Sequence, residues 1–270
     1  MHGVQRGDGV TSERLTRMRL YLWPHRLLYI GPGVDAGMHR HHAAQICKGL
    51  DGSLRMRMGQ QAEWQERSAF YVPPDRPHAF NAAGTTTAIL YLESECAELA
   101  ALQARIDRTV WSGEPAPVSR AAEGLRGLAL AGGSIDAAAS ICLAWLGLDH
   151  ADQQHRKYDP RIVAALGLIR AQLDQPVRLP TLAHALKVSP SWLSHRFTAE
   201  TGVPLRRYVV WQRLRLAVES VLRGCSWTEA AHAVGFSDSA HLSRSFRETF
   251  GIAPSSLFKR RDQLSIEFSD

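Results

Sequence analysis

Residues 183–204 read AHALKVSPSWLSHRFTAETGVP, and residues 231–254 repeat the pattern as AHAVGFSDSAHLSRSFRETFGIAP, with one extra residue in the turn. Each copy predicts a short apolar helix, a tight connection with a serine that can cap the next helix, and a second helix with one apolar face. This is the layout of a helix-turn-helix unit. Two such units are therefore predicted, at about 179–202 and 226–251.

The segment from Pro160 to Arg261 has helical periodicity almost throughout, with capping residues and helix stops between the periodic stretches. Six main helices are predicted, with a short seventh after Pro254. The six predicted helices span residues 160–174, 179–186, 190–201, 205–222, 226–234 and 238–250. We expect an all-α domain here.

The second helix of each unit has an outer face that the apolar core does not use. Such a helix lies in the major groove of DNA, where arginine can bond both acceptors of a guanine and serine or histidine can bond base edges. The predicted DNA-contacting residues are Ser191, Trp192, Ser194, His195 and Arg196 in the first unit and Ser239, Ala240, His241, Ser243, Arg244 and Arg247 in the second. Arg244 is the strongest candidate for reading a base. Two recognition helices joined by the rigid helix at 205–222 would lie about 34 Å apart in successive major grooves.

The charge is distributed unevenly along the chain. Residues 1–155 hold 15 Lys and Arg against 16 Asp and Glu, whereas residues 156–261 hold 17 against 7. Basic side chains that replace counterions on phosphates supply most non-specific binding to DNA. The asymmetry therefore favours double-stranded DNA as the partner of the second half, although a merely solvated basic surface would have the same composition.

Residues 159–261 resemble the DNA-binding domain of the AraC/XylS family of bacterial transcription regulators. The stretch DSAHLSRSFRETFGIAPSSLFKRR at 238–261 is similar to the family signature. The resemblance implies a regulator, most often an activator, that contacts RNA polymerase at its promoters. One departure concerns the first recognition helix, where His195 precedes Arg196 and many relatives carry arginine. The resemblance thus leaves open how the first half-site is read.

Before the helical segment, from about Arg19 to Glu93, short apolar or alternating runs are separated by turn residues, which is typical of antiparallel strands. GMHRHHAAQ at 37–45 and PPDRPHAFN at 73–81 resemble the two motifs of the cupin barrel, a common sensor domain in the same regulator family. The predicted fold is α+β: an N-terminal antiparallel, cupin-like β-barrel with trailing helices, followed by the all-α domain.

The cupin resemblance places the metal-ligand pattern on His39, His41, Gln45 and His78, with Gln45 in the position of a carboxylate. His39 and His41 share one face of a strand because they are two residues apart, and His42 faces the other way. Neutral imidazoles bind zinc, iron, nickel or copper, so a divalent metal is one expectation. The alternative is that these side chains line a polar pocket for an organic effector.

In either case the mouth of the barrel is the expected effector pocket, with Trp64, Tyr71, His78 and Phe80 near it. A redox sensor built on Cys47 is a further alternative, but a single cysteine in an apolar strand is more often inert.

Three regions follow from these patterns: a cupin-like sensor at 1–95, a helical connector at 96–150 and the DNA-binding domain at 151–270. The connector helices carry more apolar surface than a short helix pair can hide. They are expected to pack on the barrel, on the next domain or on a second copy of the chain, so a homodimer is one expectation.

Cysteine spacing and hydropathy bear on the compartment. The four cysteines, Cys47, Cys96, Cys142 and Cys225, are far apart and form neither a disulfide framework nor a zinc motif. No signal peptide and no apolar stretch of ~18 residues occurs. We expect a soluble protein of the bacterial cytoplasm with no membrane partner.

Two functions of different classes fit these features. The sequence favours a transcription regulator whose small-molecule or metal effector biases a dimer or the posture of the recognition helices. The alternative is a cupin-type metalloenzyme with a helical appendage. An iron oxygenase normally presents two histidines and a carboxylate, and Gln45 supplies no carboxylate. No enzymatic activity is therefore expected.

Overall fold

The N-terminal half of the chain consists mainly of β-strands, and helices from both halves pack against it. The computed structural model describes residues 17–106, 118–149, 158–258 and 261–269. The strands are β1 (Met18–Trp23), β2 (Arg26–Pro32), β3 (Asp35–His39), β4 (Ala44–Gly49), β5 (Leu54–Arg57), β6 (Gln65–Arg67), β7 (Ala69–Val72), β8 (His78–Asn81), β9 (Thr86–Leu92) and β10 (Leu264–Phe268).

The strands form two separate sheets. One has six strands in the order β10-β1-β2-β9-β4-β7, and the other has four in the order β3-β8-β5-β6. The expected closed antiparallel barrel is therefore wrong in two respects. Among the described residues no strand pairing joins the two sheets, and the pairing of β1 with β10 is parallel. The cupin-like, β-rich character of the domain is confirmed.

The six-stranded sheet is covered on both faces. In β1, Leu20 and Leu22 belong to an apolar cluster shared with the second sheet and with the C-terminal helices, whereas Tyr21 belongs to a cluster on the opposite face. Successive side chains of a strand point to opposite faces, so a sheet with both faces covered requires continuous apolar runs. All six residues of β1 are buried.

Three helices cover the outer face of this sheet: α1 (Ala97–Ile106), α2 (Val118–Ala131) and α3 (Ile135–Leu146). Leu125, Leu128 and Leu143 are buried together with Tyr21 of the sheet. Most of the apolar surface of the connector helices is thus buried within one chain, whereas Leu130 of α2 is exposed. These helices were expected to pack on the barrel, on the next domain or on a second copy of the chain. In the structure they pack on the six-stranded sheet.

The C-terminal helices are α4 (Pro160–Arg170), α5 (Leu179–Ala185), α6 (Pro190–Thr201), α7 (Leu205–Leu222), α8 (Trp227–Ala233), α9 (Ser239–Phe250) and α10 (Pro254–Phe258). They agree with the predicted set, except that α4 ends at Arg170 rather than at 174. Side-chain caps begin both recognition helices. The Ser189 hydroxyl accepts from Trp192 N at 3.1 Å, and the Asp238 carboxylate accepts from His241 N at 2.6 Å. Such caps stabilise a helix by about 1 kcal/mol each.

Strand β10 lies in the sensor sheet, although the predicted DNA-binding domain at 151–270 contains its sequence. Five residue pairs connect it to β1, from Met18 with Leu264 to Leu22 with Phe268. Its apolar residues alternate with Ser265 and Glu267, which is the pattern of a half-buried strand. The chain therefore returns to the N-terminal domain after its last helix.

In the described ranges, no helix is long and apolar enough to cross a bilayer.

Candidate DNA-binding surface and effector sites

Helix α6 presents a polar face to solvent. Leu193 and Phe197 are fully buried, because they face the helices of the first unit. The residues predicted to contact DNA here are exposed or half-buried: Ser191, Trp192, Ser194, His195 and Arg196. Their placement meets the geometric requirement for DNA contact, and the contacts themselves stay a prediction.

Two arginines on this surface already have partners. The Arg161 guanidinium lies 4.0 Å from the centre of the Trp192 ring and is held by Asp159 at 2.7 Å. Arg196 forms an ion pair with Glu200, one turn further along α6, at 2.5 Å. The Trp192 indole is therefore fixed by stacking before any DNA binds.

Helix α9 has the second polar face. Ala240, His241, Arg244 and Arg247 are exposed. Within the described residues, the guanidinium groups of Arg244 and Arg247 form no hydrogen bond and no ion pair. Free guanidinium groups on an exposed recognition helix are the groups that bind guanine or phosphate.

Ser239 and Ser243 differ from the other predicted contacts on α9 because both are half-buried. The Ser243 hydroxyl accepts from Trp227 Nε1 at 2.9 Å and donates to the carbonyl of Ser239 at 2.8 Å. Helical periodicity assigned Ser243 to the outer face. It could not indicate that α8 places a tryptophan against it.

The C-terminal end of α9 packs on the sensor domain. Gly37 N in β3 donates to the carbonyl of Gly251 at 3.1 Å, and the Phe250 ring contacts Tyr91 and Trp211 at centroid distances of 6.2 and 5.7 Å. Gly251 has φ 71°, and a Cβ there would lie 2.6 Å from the Gly37 carbonyl oxygen. The close approach of the two domains therefore requires glycine at this position.

Three of the four predicted metal ligands form a histidine cluster. His39, His41 and His78 each place one ring nitrogen within 4.8 Å of the others. Their Nδ1 atoms hydrogen-bond backbone carbonyls, at 2.7 Å for His39, 2.7 Å for His41 and 2.9 Å for His78. Because a carbonyl accepts only, each Nδ1 carries the proton and each Nε2 carries a lone pair. Metal-bound histidines have this arrangement.

Gln45, the fourth predicted ligand, completes the cluster. Its Oε1 lies 2.8 Å from His41 Nε2 and 3.2 Å from His78 Nε2, while its amide nitrogen contacts Cys47 Sγ at 2.8 Å. Three acceptor atoms thus meet without a proton between them. A cation satisfies all three, and so does rotation of the Gln45 amide, which brings its NH₂ group to the imidazoles.

Burial sets the protonation of the cluster. It lowers the pKa of His41 to about 4 and that of His78 to about 2, with a smaller contribution from the neighbouring His39. Both rings are therefore neutral near pH 7, and neutral imidazole is the form that binds metal. Burial also raises the pKa of the Cys47 thiol to about 12, so this cysteine lacks the thiolate that a redox sensor needs.

An apolar cavity of about 460 Å³ lies between the sensor domain and the C-terminal helices. Its walls include Met18, Leu20, Leu22, Leu27, Tyr29, Phe80, Ile89, Tyr91, Val218, Phe246, Phe250 and Ile252, with Arg26, His39, Gln45, Glu93, Trp211, Arg215, Ser255 and Ser256 as polar groups. Phe80 lies where the effector pocket was expected. Trp64, Tyr71 and His78 do not line this cavity. Trp64 is exposed and stacks with Arg55 and Arg57, and Tyr71 packs on the outer-face cluster.

Comparison with known proteins gives the same division of the chain. Residues 182–260 match the family of helix-turn-helix domains, and residues 26–93 match the cupin domain. The HTH-type transcriptional regulator YidL of Escherichia coli is 32% identical over 124 residues, which cover 46% of this chain and 42% of YidL. The transcriptional activator RhaS of Pectobacterium carotovorum is 34% identical over 97 residues, 36% of this chain and 35% of RhaS.

The helix-turn-helix region of this chain is similar to that of AraC-type regulators. The resemblance carried by residues 238–261 is thereby confirmed. The aligned segments span less than half of these curated relatives, so they assign the DNA-binding domain more directly than the sensor.

A solved structure extends the likeness of this AraC-type chain to its whole fold. ToxT from Vibrio cholerae matches 89% of this chain and 97% of its own, with a TM-score of 0.58 and 12% identity. At that identity the likeness concerns the fold alone. It includes both the sensor and the helical domain.

A contact that sequence reasoning missed joins the two domains at Glu93, directly after β9. Its carboxylate accepts from Trp211 Nε1 at 2.9 Å and Gln212 Nε2 at 3.1 Å, and it contacts Arg215 at 3.4 Å and His25 at 3.3 Å. Burial alone would raise the pKa of Glu93, but the His25 hydrogen bond and the Arg215 charge hold it below its ordinary value.

Glu95 makes the second such contact. Its carboxylate accepts from the Tyr208 hydroxyl at 2.6 Å and from Arg170 at 3.0 Å, and His42 lies 3.5 Å away. We refer to Glu93 and Glu95, with their partners on α4 and α7, as the interdomain latch. In the sequence, the latch shows only as two acidic residues at the end of an apolar strand. Two acidic residues in a solvent-exposed turn would give the same pattern.

Proposed function

We propose that this chain is an effector-responsive transcription regulator that binds DNA through α6 and α9. The observation that carries the proposal is the pair of helix-turn-helix units, each with a polar recognition face that is largely exposed. The unpaired guanidinium groups of Arg244 and Arg247 support base or phosphate contact on the second face. The proposal includes activation, which the similarity to the activator RhaS supports, and contact with RNA polymerase, which rests on the resemblance to the AraC/XylS family alone.

The apolar cavity is the proposed effector site. It suits a small, mostly apolar molecule, because apolar side chains form most of its wall. ToxT is known in an unsaturated-fatty-acid-bound form, which supports an effector with a hydrocarbon part. A ligand here would contact Trp211 and Arg215, both members of the interdomain latch. Its binding would therefore change the stability of the contact between the two domains.

A divalent metal held by His39, His41, His78 and Gln45 is part of the same proposal. The convergence of unprotonated Nε2 atoms on a carbonyl-type oxygen supports a cation at this point. The metal would fix the end of β3, which carries His39, and the loop after it, which carries His41. Strand β3 in turn contacts α9. Zinc, iron, nickel and copper all accept three imidazoles.

The proposal also includes a bacterial cytoplasmic location, a homodimer as the active form and the absence of enzymatic activity. Regulators of this family bind DNA rather than transform a substrate. Gln45 in place of a carboxylate supports a binding role for the cupin domain.

Selection of bound sequences from a random DNA library tests the proposed function. The full-length chain should enrich a motif with two separate half-sites. A Ser194→Ala/His195→Ala variant should lose its base preference in one half-site and keep its base preference in the other, since the substitutions alter only α6. The matched control Ser140→Ala, on the sensor helix α3, should enrich the parent motif. Failure of the parent to enrich any motif would contradict the proposal.

A further inference from the structure

A second cavity, of about 810 Å³, lies on the other side of the histidine cluster, between the sensor loop at 38–42 and the helices α7 and α9. Its lining includes Arg40 from the sensor loop, Arg206 and Arg207 from α7 and Glu248 from α9. We refer to it as the basic cleft. Its size falls within the range of ~300–1,000 Å³ typical of ligand pockets.

The charge of the basic cleft is strongly one-sided. Arg40, Arg206 and Arg207 line it together with the single carboxylate of Glu248. Arg207 forms an ion pair with Asp75 of the sensor domain. Like charges gathered around one cavity repel each other, and low-dielectric walls strengthen the field inside it.

Arg40 and Arg206 carry the argument because both are exposed and neither guanidinium group has a hydrogen bond or an ion pair within the described ranges of the chain. They come from different domains, Arg40 from the loop after β3 and Arg206 from the first turn of α7. Guanidinium groups form paired hydrogen bonds with carboxylates and phosphates. Two unpaired guanidinium groups on one cleft therefore supply the donors for an oxyanion with more than one charge.

We propose that the basic cleft binds a small multivalent oxyanion, a polycarboxylate or a phosphate compound, held by Arg40 from the sensor and Arg206 from α7. This site is distinct from the apolar cavity, which contains neither arginine. Because the ligand joins both domains, its binding stabilises their docked arrangement by mass action.

Isothermal titration calorimetry on the full-length, chelator-treated protein tests the site without DNA. The probes are citrate and pyrophosphate, in separate titrations at an ionic strength matched with sodium chloride. We expect saturable binding of at least one probe, and the one that binds distinguishes a carboxylate from a phosphate source. An Arg40→Gln/Arg206→Gln variant should bind it about tenfold more weakly or worse.

The matched control is Arg55→Gln/Arg67→Gln, which removes the same charge from the second sheet. It should bind like the parent. Absence of binding to either probe, or equal weakening in both double variants, would overturn the site. So would a loss of DNA affinity in Arg40→Gln/Arg206→Gln without added oxyanion, because the arginines would then be DNA contacts. Failure of the proposed DNA-binding function would leave the calorimetric result unchanged.

Discussion

At the residue scale, Arg244 is the side chain that most clearly connects structure to specificity. Arg244→Ala should weaken binding to the selected DNA site by about 1–3 kcal/mol and relax discrimination at one base pair, since a bidentate contact to guanine is lost. Binding to a panel of singly substituted sites measures both effects. The control Arg67→Ala, on an exposed strand of the sensor, should change neither. Uniform weakening across all sites would identify Arg244 as a phosphate contact instead.

The histidine cluster gives a second residue-scale prediction. Elemental mass spectrometry of the purified parent should find near-stoichiometric metal, and a His39→Ala/His78→Ala variant should hold little, because two of three imidazole ligands are gone. The control His232→Ala, exposed on α8, should retain the metal.

If the parent protein contains no metal after purification without chelators, the proposed metal site is contradicted. Rotation of the Gln45 amide would then account for its short contacts with His41 and His78. In that case the cluster is a polar wall beside the basic cleft.

Sequence predicts whether an individual residue is buried or exposed where helical periodicity determines which face of the helix it occupies. The split of α6 into buried Leu193 and exposed His195 follows from helical spacing alone. Trp64 and Tyr71 were misplaced because strand alternation gives the face of a residue and not the partner across it. The latch residue Glu93 was not predictable, since its partners lie more than a hundred residues away on α7.

At the element scale, strand β10 is predicted to tether the helical domain to the sensor. Ending the chain after Arg261 removes all five pairs with β1 and the apolar contacts of Leu264, Ile266 and Phe268. Backbone amides of β1 should then exchange hydrogen faster, because β1 becomes an edge strand. Hydrogen exchange read by mass spectrometry measures this.

The substitution Ser265→Ala provides the control for the truncation, since Ser265 is exposed and β10 stays in place. Its β1 amides should exchange as in the parent. Equal exchange in the truncated and full-length chains would mean that β10 contributes nothing to the sheet.

The elements differ in how far sequence could predict them. The helices of the C-terminal domain were predicted nearly to the residue, because caps such as Ser189 and Asp238 and stops such as Gly202 mark their ends. The sheets were predicted as strands but assembled wrongly into a closed barrel. Whether a sheet closes into a barrel depends on pairings between strands that are far apart in the sequence. The parallel pairing of β10 with β1 also could not be predicted, because neither strand has a local sequence pattern that indicates its partner.

At the scale of the whole molecule, the interdomain latch predicts a dependence of stability on pH. The folded pKa of Glu93 lies below its ordinary value of 4.5, so its stabilisation is present above pH 4.5 and is lost as pH falls through the lower folded value. Urea unfolding at pH 7 and in acid should show this loss.

Glu93→Gln should lower the free energy of unfolding at pH 7 by about 1–3 kcal/mol, because buried donors lose their charged acceptor. It should also flatten the acid dependence. Glu123→Gln, exposed on α2, is the control and should follow the parent at both pH values. An unchanged acid profile in Glu93→Gln would exclude Glu93 as its source.

The central claim is that one chain reads two half-sites with α6 and α9, and hydroxyl-radical footprinting on the selected DNA site tests it most directly. The account predicts two protected patches on one face of the duplex, one helical turn or about 34 Å apart. Ser194→Ala/His195→Ala should weaken one patch and Arg244→Ala the other. A single patch, or two patches that respond identically to both variants, would contradict the account.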